Sequence, residues 1–230
     1  MVEIVWLGHG SFQLKLATGE VIVIDPWLNG PTYPAGHAFQ RIDAILITHA
    51  HFDHCPDAVE LAKKFQAPVV SNFEISLWLG SKGVETASGM NKGGSQRVGG
   101  VTVTMTHAFH SSSIVEDGKV IYGGEAAGYV IELPDGRKIY FAGDTDVFSE
   151  MELIGEIHRP ELAFLPIGDL YTMSPREAAV ACRLLKPKKV IPMHYGTFPP
   201  LTGRPEQLAQ LVKDLGVEVW PLEPGKPVSW

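Results

Sequence analysis

The chain has 230 residues, of which 45% are hydrophobic and 20% are charged, and its formal net charge is −7. This composition is ordinary for a globular protein and excludes intrinsic disorder and collagen-like repeats. The length allows one large domain or two small ones, and because no linker is visible we expect a single domain over residues 1–230. The acidic balance disfavours nucleic acid and anionic membranes as partners.

Two cysteines, Cys55 and Cys182, are present, which excludes a disulfide framework and a CxxC metal site. We expect both to be small buried core residues. Residues 1–6 have a strand pattern without the charged and apolar regions of a signal peptide. No apolar run approaches the roughly 18 residues of a transmembrane helix. We therefore expect a cytoplasmic protein that does not span a membrane.

Alternation, continuous apolar runs and helical spacing predict alternating strands and helices along the chain. Strands are predicted at residues 2–6, 11–17, 21–24, 44–48, 68–70, 101–106, 129–133, 138–142, 162–166, 190–193 and 217–220. Helices are predicted at residues 56–66, 73–79, 149–157, 175–185 and 204–215. The run Ser174-Pro175-Arg176-Glu177 is a capping box with proline at the first helical position. The glycine-rich stretches 89–100 and 111–128 are interpreted as flexible loops.

Each half of the chain contains a predicted hairpin followed by βαβα units, although no sequence repeat is visible. Two mixed sheets packed face to face, with helices outside, form the closed arrangement that buries these elements. The predicted fold is therefore an α/β, four-layer αβ/βα sandwich of two mixed β-sheets flanked by helices.

The strongest chemical signal follows the buried strand predicted at residues 44–48. The segment reads Thr48-His49-Ala50-His51-Phe52-Asp53-His54, with three histidines and an aspartate within six residues. Imidazole nitrogens and carboxylate oxygens suit zinc and other borderline divalent metals. His49 and His51, as alternate residues, can hold one ion, and Asp53 and His54 continue around the turn towards a second.

The HxHxDH pattern is the signature of the metallo-β-lactamase superfamily, which this chain resembles over nearly its whole length. Later residues resemble further superfamily ligands in order: His110 in Phe109-His110-Ser111, Asp144 in Gly143-Asp144-Thr145 and His194 in Met193-His194-Tyr195. Further segments, among them Gly8-His9-Gly10-Ser11-Phe12, Gly89-Met90-Asn91, Leu165-Pro166-Ile167-Gly168 and IPMHYGTF at 191–198, are similar to a bacterial and archaeal family of metal-dependent hydrolases. That family is related to the ascorbate-6-phosphate lactonase branch.

The resemblance implies two divalent metal ions, zinc first, with manganese, iron or nickel as alternatives. It implies that one ion is held by His49, His51 and His110, the other by Asp53, His54 and His194, and that Asp144 bridges them. Such ions lower the pKa of a bound water from 15.7 to about 7, so that a metal-bound hydroxide can act as the nucleophile.

The resemblance therefore implies a binuclear metal-dependent hydrolase acting on a small ester, lactone or phosphodiester. The alternatives are a nuclease of the same fold, a non-hydrolytic iron redox enzyme, and a metal-stabilised scaffold without catalysis. The acidic balance argues against the nuclease, and the intact ligand set argues against the scaffold. We expect a small-molecule substrate as the partner, and the chain could also form a homo-oligomer.

Three residues are candidates for direct catalytic roles. Asp53 belongs to the motif, and His9 lies in a glycine-rich turn that we expect at the cavity rim. Tyr195, next to a predicted ligand, could donate its hydroxyl to a developing oxyanion. An exposed turn histidine and a packing tyrosine are the alternative interpretations of the last two, and Glu125 is a weaker candidate.

Two further assignments concern residues near the predicted ligands. His107 is the alternative to His110, but His110 begins the loop, where functional residues concentrate. Asp25 resembles the early superfamily aspartate that supports the ligands. A ligand histidine needs a carboxylate or carbonyl on its other nitrogen, and we prefer that role for Asp25 over a turn residue before Pro26.

The loop at residues 26–40 leaves a strand end beside the predicted metals. It carries four large apolar side chains: Trp27, Leu28, Tyr33 and Phe39. Such side chains in a surface loop need a partner. We expect the loop to form a cavity wall in the first place, a subunit interface in the second, and core packing in the third.

Overall fold

The computed structural model describes all 230 residues, which form two seven-stranded mixed sheets, one separate hairpin and five α-helices. The first elements are β1 (Val2–Trp6), β2 (Phe12–Leu16), β3 (Val21–Ile24), β4 (Ala44–Leu46), α1 (Ala58–Phe65), β5 (Val69–Asn72), α2 (Phe73–Ser81) and β6 (Ala87–Met90). The next are β7 (Ser95–Val98), β8 (Val101–His107), β9 (Ser113–Glu116), β10 (Lys119–Tyr122), β11 (Ala127–Glu132) and β12 (Lys138–Phe141). The last are α3 (Met151–His158), β13 (Leu162–Pro166), α4 (Pro175–Leu185), β14 (Lys189–Met193), α5 (Pro205–Val212), a 3₁₀ helix (Lys213–Leu215), β15 (Glu218–Val219) and β16 (Pro227–Ser229).

The first sheet has the order β16-β1-β2-β3-β4-β5-β6, and the second has the order β15-β14-β13-β12-β11-β8-β7. In the first sheet β16, β1, β2 and β3 pair antiparallel, whereas β3, β4, β5 and β6 pair parallel. In the second sheet β7, β8, β11 and β12 pair antiparallel, and β12, β13, β14 and β15 pair parallel. Each half therefore combines an antiparallel hairpin with parallel strands.

The main core lies between the two sheets. Phe12 of the first sheet packs edge-on against Phe164 and Phe141 of the second, with ring centroids 4.8 and 5.8 Å away. Along β3, Ile22 and Ile24 point into this core, while the alternate valines join a second core under α1 and α2. A third core lies between the second sheet and α3, α4 and α5. The predicted four-layer sandwich is confirmed.

The observed helix ends can be compared with the limits predicted from the sequence. The α4 helix has the predicted limits, and Ser174 caps it by accepting a hydrogen bond from Arg176 N at 3.2 Å while its own N–H donates to Glu177 at 2.9 Å. The last predicted helix ends earlier, at Val212, and continues as the 3₁₀ turn. Cys55 and Cys182 are free and buried, as predicted. No helix combines the length and the apolar character required to cross a bilayer.

The two glycine-rich stretches were wrongly interpreted as loops throughout, because they contain strands. The first contains the end of β6 and the whole of β7, and the second contains the whole β9–β10 hairpin. Strand β7 is polar and partly exposed, so it lacks a buried apolar pattern. The hairpin did carry a signal, since Asp117-Gly118, both with positive φ, lies between β-branched residues.

The strand directions bring several loops to one edge of the sandwich. In the first sheet β1, β3 and β4 run in the same direction, because β1 and β3 both pair antiparallel with β2 and β4 pairs parallel with β3. In the second sheet β8, β12 and β14 likewise share one direction. All the segments that carry predicted ligands therefore start where one of these strands ends.

Candidate metal centre

The segment after β4 places two of its histidines beside a third from the other sheet. The ligand nitrogens of His49, His51 and His110 all lie within 4.8 Å of one another. The segment is fixed by Ser112, whose hydroxyl accepts a hydrogen bond from Ala50 N at 3.1 Å and donates to a backbone carbonyl. The structure thus brings together the three residues predicted to hold the first ion.

A second group contains the remaining predicted ligands and one more residue. Ligand atoms of Asp53, His54, His194 and His9 all lie within 4.8 Å of one another, and all four residues are buried. The rings of His54 and His194 are nearly parallel, with centroids 5.7 Å apart. His9 was expected only at the cavity rim, so the sequence did not predict that its ring nitrogen lies among the ligand atoms of this group.

Asp144 lies between the two groups. Its Oδ2 is 2.9 Å from His194 Nε2 and 3.3 Å from His54 Nε2 in the second group. The same oxygen is 3.7 Å from His110 Nε2 and 3.8 Å from His49 Nε2 in the first. Burial raises the pKa of Asp144, but the charges of His194 and His54 outweigh it and hold that pKa well below the ordinary value. Asp144 is therefore placed to contact ions bound by either group.

Several of these atoms have no hydrogen-bond partner although they are buried. They are His54 Nε2, Asp144 Oδ1 and both ring nitrogens of His194. Buried polar atoms in proteins are nearly always paired, and each unpaired one costs about 1–3 kcal/mol. Converging imidazole nitrogens and a carboxylate are the donor set of borderline divalent metals. A bound metal would satisfy these atoms, so the residues present fit a metal site.

Asp25 holds the ring of His54, one of the predicted ligands, which is the role that the sequence favoured for it. It is fully buried, and its Oδ2 is 2.9 Å from His54 Nδ1. Thr48 donates to the same carboxylate from its backbone N–H at 2.8 Å and from its hydroxyl at 2.6 Å. These contacts occupy the Nδ1 side of His54 and leave its Nε2 facing Asp144.

The rim position expected for His9 is wrong, because the side chain is only 1% exposed. Its Nε2 lies 3.1 Å from Asp53 Oδ2, and its Nδ1 lies 2.9 Å from Thr197 Oγ1. Burial lowers the pKa of His9 to about 4, although the hydrogen bond to Asp53 acts in the opposite direction and raises it. The turn packs inwards because Gly10 has no side chain: a Cβ there would lie 2.6 Å from His54 Cε1.

Tyr195 and Glu125 are not brought to the centre. The Tyr195 ring packs against Trp6 with a centroid distance of 5.4 Å, and burial, followed by the charge of Glu206, raises its pKa to about 12. This position fits the packing interpretation. Glu125 forms an ion pair with Lys92 at 2.7 Å and lines a different cavity.

The structure distinguishes His110 from His107, the alternative ligand, by where each lies relative to the end of β8. His107 is the last residue of β8 and is exposed, and it belongs to neither group of ligand atoms. His110 follows three residues later and joins the first group.

A cavity of about 610 Å³ opens above the centre. Its floor contains predicted ligands from both groups, together with Ser111, whose hydroxyl lies 3.3 Å from His51 Nε2. Its walls are formed by Phe52, Tyr171, Phe198, Pro199 and Pro200. None of these wall residues was predicted as such, although an aromatic–proline–proline run so soon after His194 is a visible signal.

The loop at residues 26–40 does not line this cavity, so its expected role as a cavity wall is wrong. Leu28, Tyr33 and Phe39 pack against the core under α1 and α2. Trp27 contacts the rings of His9, Phe52 and Phe198 at centroid distances of 5.3, 5.9 and 5.9 Å. Three of the four apolar side chains thus have the core role ranked third, while Trp27 supports cavity residues from behind.

Comparison with known proteins identifies the family. The profile of the β-lactamase superfamily domain matches residues 20–195. A protein of Solibacter usitatus named UPF0173 metal-dependent hydrolase is 64% identical over 230 residues, with 100% of both chains covered. A protein of the same name from Methanopyrus kandleri is 45% identical over 228 residues and covers 98% of each chain.

Among solved structures, Igni18, described as a novel metallo hydrolase of the hyperthermophilic archaeon Ignicoccus hospitalis, is 36% identical. It superposes with a TM-score of 0.86 over 100% of this chain and 98% of its own. These likenesses extend over the whole sandwich and include the segments that carry the buried histidines and aspartates. The chain therefore belongs to the β-lactamase superfamily and, within it, to the UPF0173 metal-dependent hydrolases.

Proposed function

We propose that the protein is a binuclear hydrolase that acts on a small ester, lactone or phosphodiester. In this proposal His49, His51 and His110 hold one divalent ion, Asp53, His54 and His194 hold the other, and Asp144 contacts both, with zinc as the first choice of metal. The observation that carries the proposal is the position of Asp144, whose Oδ2 lies within 3.8 Å of histidines from both groups.

The ions would supply Lewis acidity and a water acidified to a pKa of about 7. The chain's own residues position the remaining groups. His9 binds Asp53 Oδ2 at 3.1 Å and fixes that carboxylate, so that its Oδ1, on the side of His54 Nε2, is left to contact the second ion. Asp25 holds the ring of His54, and Ser112 holds the backbone of the motif segment.

The size and lining of the cavity support the proposal that the substrate is a small molecule. The cavity volume of about 610 Å³ lies in the range of small-ligand sites, which is roughly 300–1,000 Å³. None of the residues that line it is lysine or arginine, which nucleic-acid sites use to neutralise backbone phosphates. This lining supports small esters and lactones over polynucleotides.

The proposal is tested by reconstitution of metal-depleted protein with zinc, manganese, iron(II) or nickel, followed by elemental analysis. We expect about two ions per chain and metal-dependent hydrolysis of at least one of phenyl acetate, γ-butyrolactone and bis(p-nitrophenyl) phosphate. His110→Ala should lower the metal content and the rate, whereas the matched variant His107→Ala should change neither. One ion or none per chain in the reconstituted wild type would overturn the binuclear assignment.

A further inference from the structure

The walls of the cavity above the metal centre differ from its floor. The floor carries histidines and carboxylates, whereas the walls are three aromatic rings and two prolines: Phe52, Tyr171, Phe198, Pro199 and Pro200. Phe52 is 67% exposed and Tyr171 is 56% exposed, so both present apolar surface to solvent beside a polar centre. Exposed apolar surface inside a concave site is typical of a place where an apolar ligand binds.

The rings on one side of the cavity are held in place from behind. Trp27 lies 5.9 Å from Phe52, nearly perpendicular to it, and 5.9 Å from Phe198. The prolines at 199 and 200 restrict the backbone that follows Phe198. These aromatic surfaces are therefore supported before any ligand binds, which reduces the entropy lost on binding.

Tyr171, another wall residue, directly follows a strained turn. Asp169 and Leu170, directly before Tyr171, have φ angles of 70° and 45°. Each non-glycine residue in this conformation costs about 1–2 kcal/mol. The turn is held by Asp169 N, which donates to Met173 O at 3.0 Å, and by Asp169 Oδ1, which accepts from Leu170 N at 2.8 Å. Strain of this kind is concentrated at ligand-binding segments.

The side chains of the cavity walls offer no cation to a charged substituent, since no lysine or arginine lines the cavity. The ions proposed at the floor would be its only cations, and the scissile ester group would occupy them. Arg204, which follows the proline wall, donates from Nη1 to the backbone carbonyls of Leu201 and Gly203. An anionic group held between the rings would lose its hydration without gaining a partner.

We propose that the substrate is a neutral ester or lactone that carries an aromatic or bulky apolar group, which binds between Phe52, Tyr171 and Phe198. This inference rests on the proposed hydrolase function and narrows it, because it excludes sugar phosphates, nucleotides and other substrates with an anionic group beyond the scissile bond. Phe52, Tyr171 and Phe198 are then the residues that determine specificity.

The test compares two esters that differ by one charge, phenyl acetate and 4-acetoxybenzoate, with metal-loaded enzyme. Each kcat/KM is divided by the rate of hydroxide-catalysed hydrolysis of the same ester, so that intrinsic reactivity cancels. We expect phenyl acetate to be preferred by at least about tenfold, as one unpaired charge costs more than 1.4 kcal/mol. Tyr171→Lys should shift the preference towards 4-acetoxybenzoate at unchanged metal content. The control Phe73→Lys, an exposed aromatic on α2, should leave the preference unchanged.

A binding measurement separates this inference from the hydrolase proposal. The amides acetanilide and 4-acetamidobenzoate reproduce the two esters, and their binding to the metal-loaded protein is measured by titration calorimetry. Tighter binding of acetanilide, weakened by Tyr171→Ala, supports the inference even if no ester is hydrolysed, a result that would contradict only the proposed function. Equal binding of both amides, no binding of acetanilide, or equal or faster hydrolysis of 4-acetoxybenzoate would overturn the inference.

Discussion

His9, Asp25 and His194 have φ angles of 52°, 47° and 58°, in the left-handed region that most residues avoid. Each such angle costs about 1–2 kcal/mol relative to ordinary backbone. The three residues leave the ends of β1, β3 and β14, and the sharp bend turns each side chain towards the metal centre. The cost is offset by the three hydrophobic cores, which fix the strands on which these residues sit.

The first prediction concerns His9, which connects Thr197 to Asp53. His9→Ala should leave the carboxylate of Asp53 without its buried partner and should lower metal affinity by about 10–100-fold, as loss of groups that orient ligands does. Metal titration of the variant measures this, and kcat and KM are determined at saturating metal. His158→Ala, at the end of α3, is the matched control. Unchanged metal affinity in His9→Ala would contradict the assigned role.

The second prediction concerns the thiol of Cys182 and its dependence on pH. Burial raises the pKa of this thiol to about 12 from an ordinary value of 9.0. The reactive thiolate is therefore scarce at pH 8, and Cys182 should not react with a disulfide reagent until the protein unfolds. Since the pKa is raised in the folded state, its contribution to stability is present below pH 9 and is lost as the pH rises towards 12.

Cys55 provides a second thiol for the same measurement, because burial raises its pKa to about 12 as well. Native protein at pH 8 should release almost no chromophore from the disulfide reagent, while denatured protein should release about two equivalents, since the chain has two cysteines. Rapid reaction of the native protein would show that one thiol is accessible. The free energy of unfolding, measured by denaturant titration, should fall between pH 9 and pH 12.

At the scale of elements, the third prediction concerns the turn between β1 and β2. Gly10→Ala would place a Cβ 2.6 Å from His54 Cε1, and the ring or the turn must then move. We expect weaker metal binding, because His54 carries a predicted ligand atom. Gly80→Ala in α2 meets no atom within 4 Å and should instead stabilise the helix by about 0.5–1 kcal/mol. Metal titration and denaturant unfolding of both variants check the pair of expectations.

The interior elements could be predicted from sequence because buried strands carry continuous apolar runs, as in VIVI of β3 and AIL of β4. The missed strands are exposed: all four residues of β10 are exposed, and β16 is partly exposed. Their pairing depends on neighbours that a local pattern does not contain. The separate hairpin is the exception, because Asp117-Gly118 between Ile114-Val115 and Val120-Ile121 is a local hairpin signal.

The residues of the candidate metal centre also divide into those that the sequence reveals and those that only the folded chain brings together. The HxHxDH segment is local, so its residue types and spacing are visible in the sequence. The contact of His9 with Asp53, by contrast, joins residues 44 positions apart and depends on the packing of the first turn. The walls at Tyr171 and Phe198 likewise come from separate loops, and only the strand directions bring them to one edge.

At the scale of the whole molecule, the fourth prediction follows from the division of ligands between the sheets. His49, His51, Asp53 and His54 follow β4 of the first sheet, whereas His110, Asp144 and His194 follow strands of the second. Ions bound by both sets would connect the two sheets, and they would bind the folded state alone. Binding at 1,000 times the dissociation constant stabilises a folded protein by about 4 kcal/mol.

We therefore expect a chelator to lower the melting temperature and restoration of metal to raise it again. His107→Ala, outside the centre, should keep the full difference between metal-free and metal-loaded protein. His110→Ala should reduce that difference. Calorimetric melting of the three proteins, each with and without metal, measures these shifts, and identical melting with and without metal in the wild type would contradict the prediction.

The pairing of β16 with β1 places Trp230 beside Val2, with Val2 N donating to Trp230 O at 2.8 Å and Trp230 N donating to Val2 O at 2.9 Å. Residues 2 and 230 are therefore neighbours in one ladder, at a distance that a few glycines can span. A circular permutant that joins them and opens at the exposed turn Asp135-Gly136 would keep every strand neighbour in both sheets. In such a molecule the histidine-rich segment would come late in synthesis and Asp144 early, while the metal centre itself would be built from the same side chains.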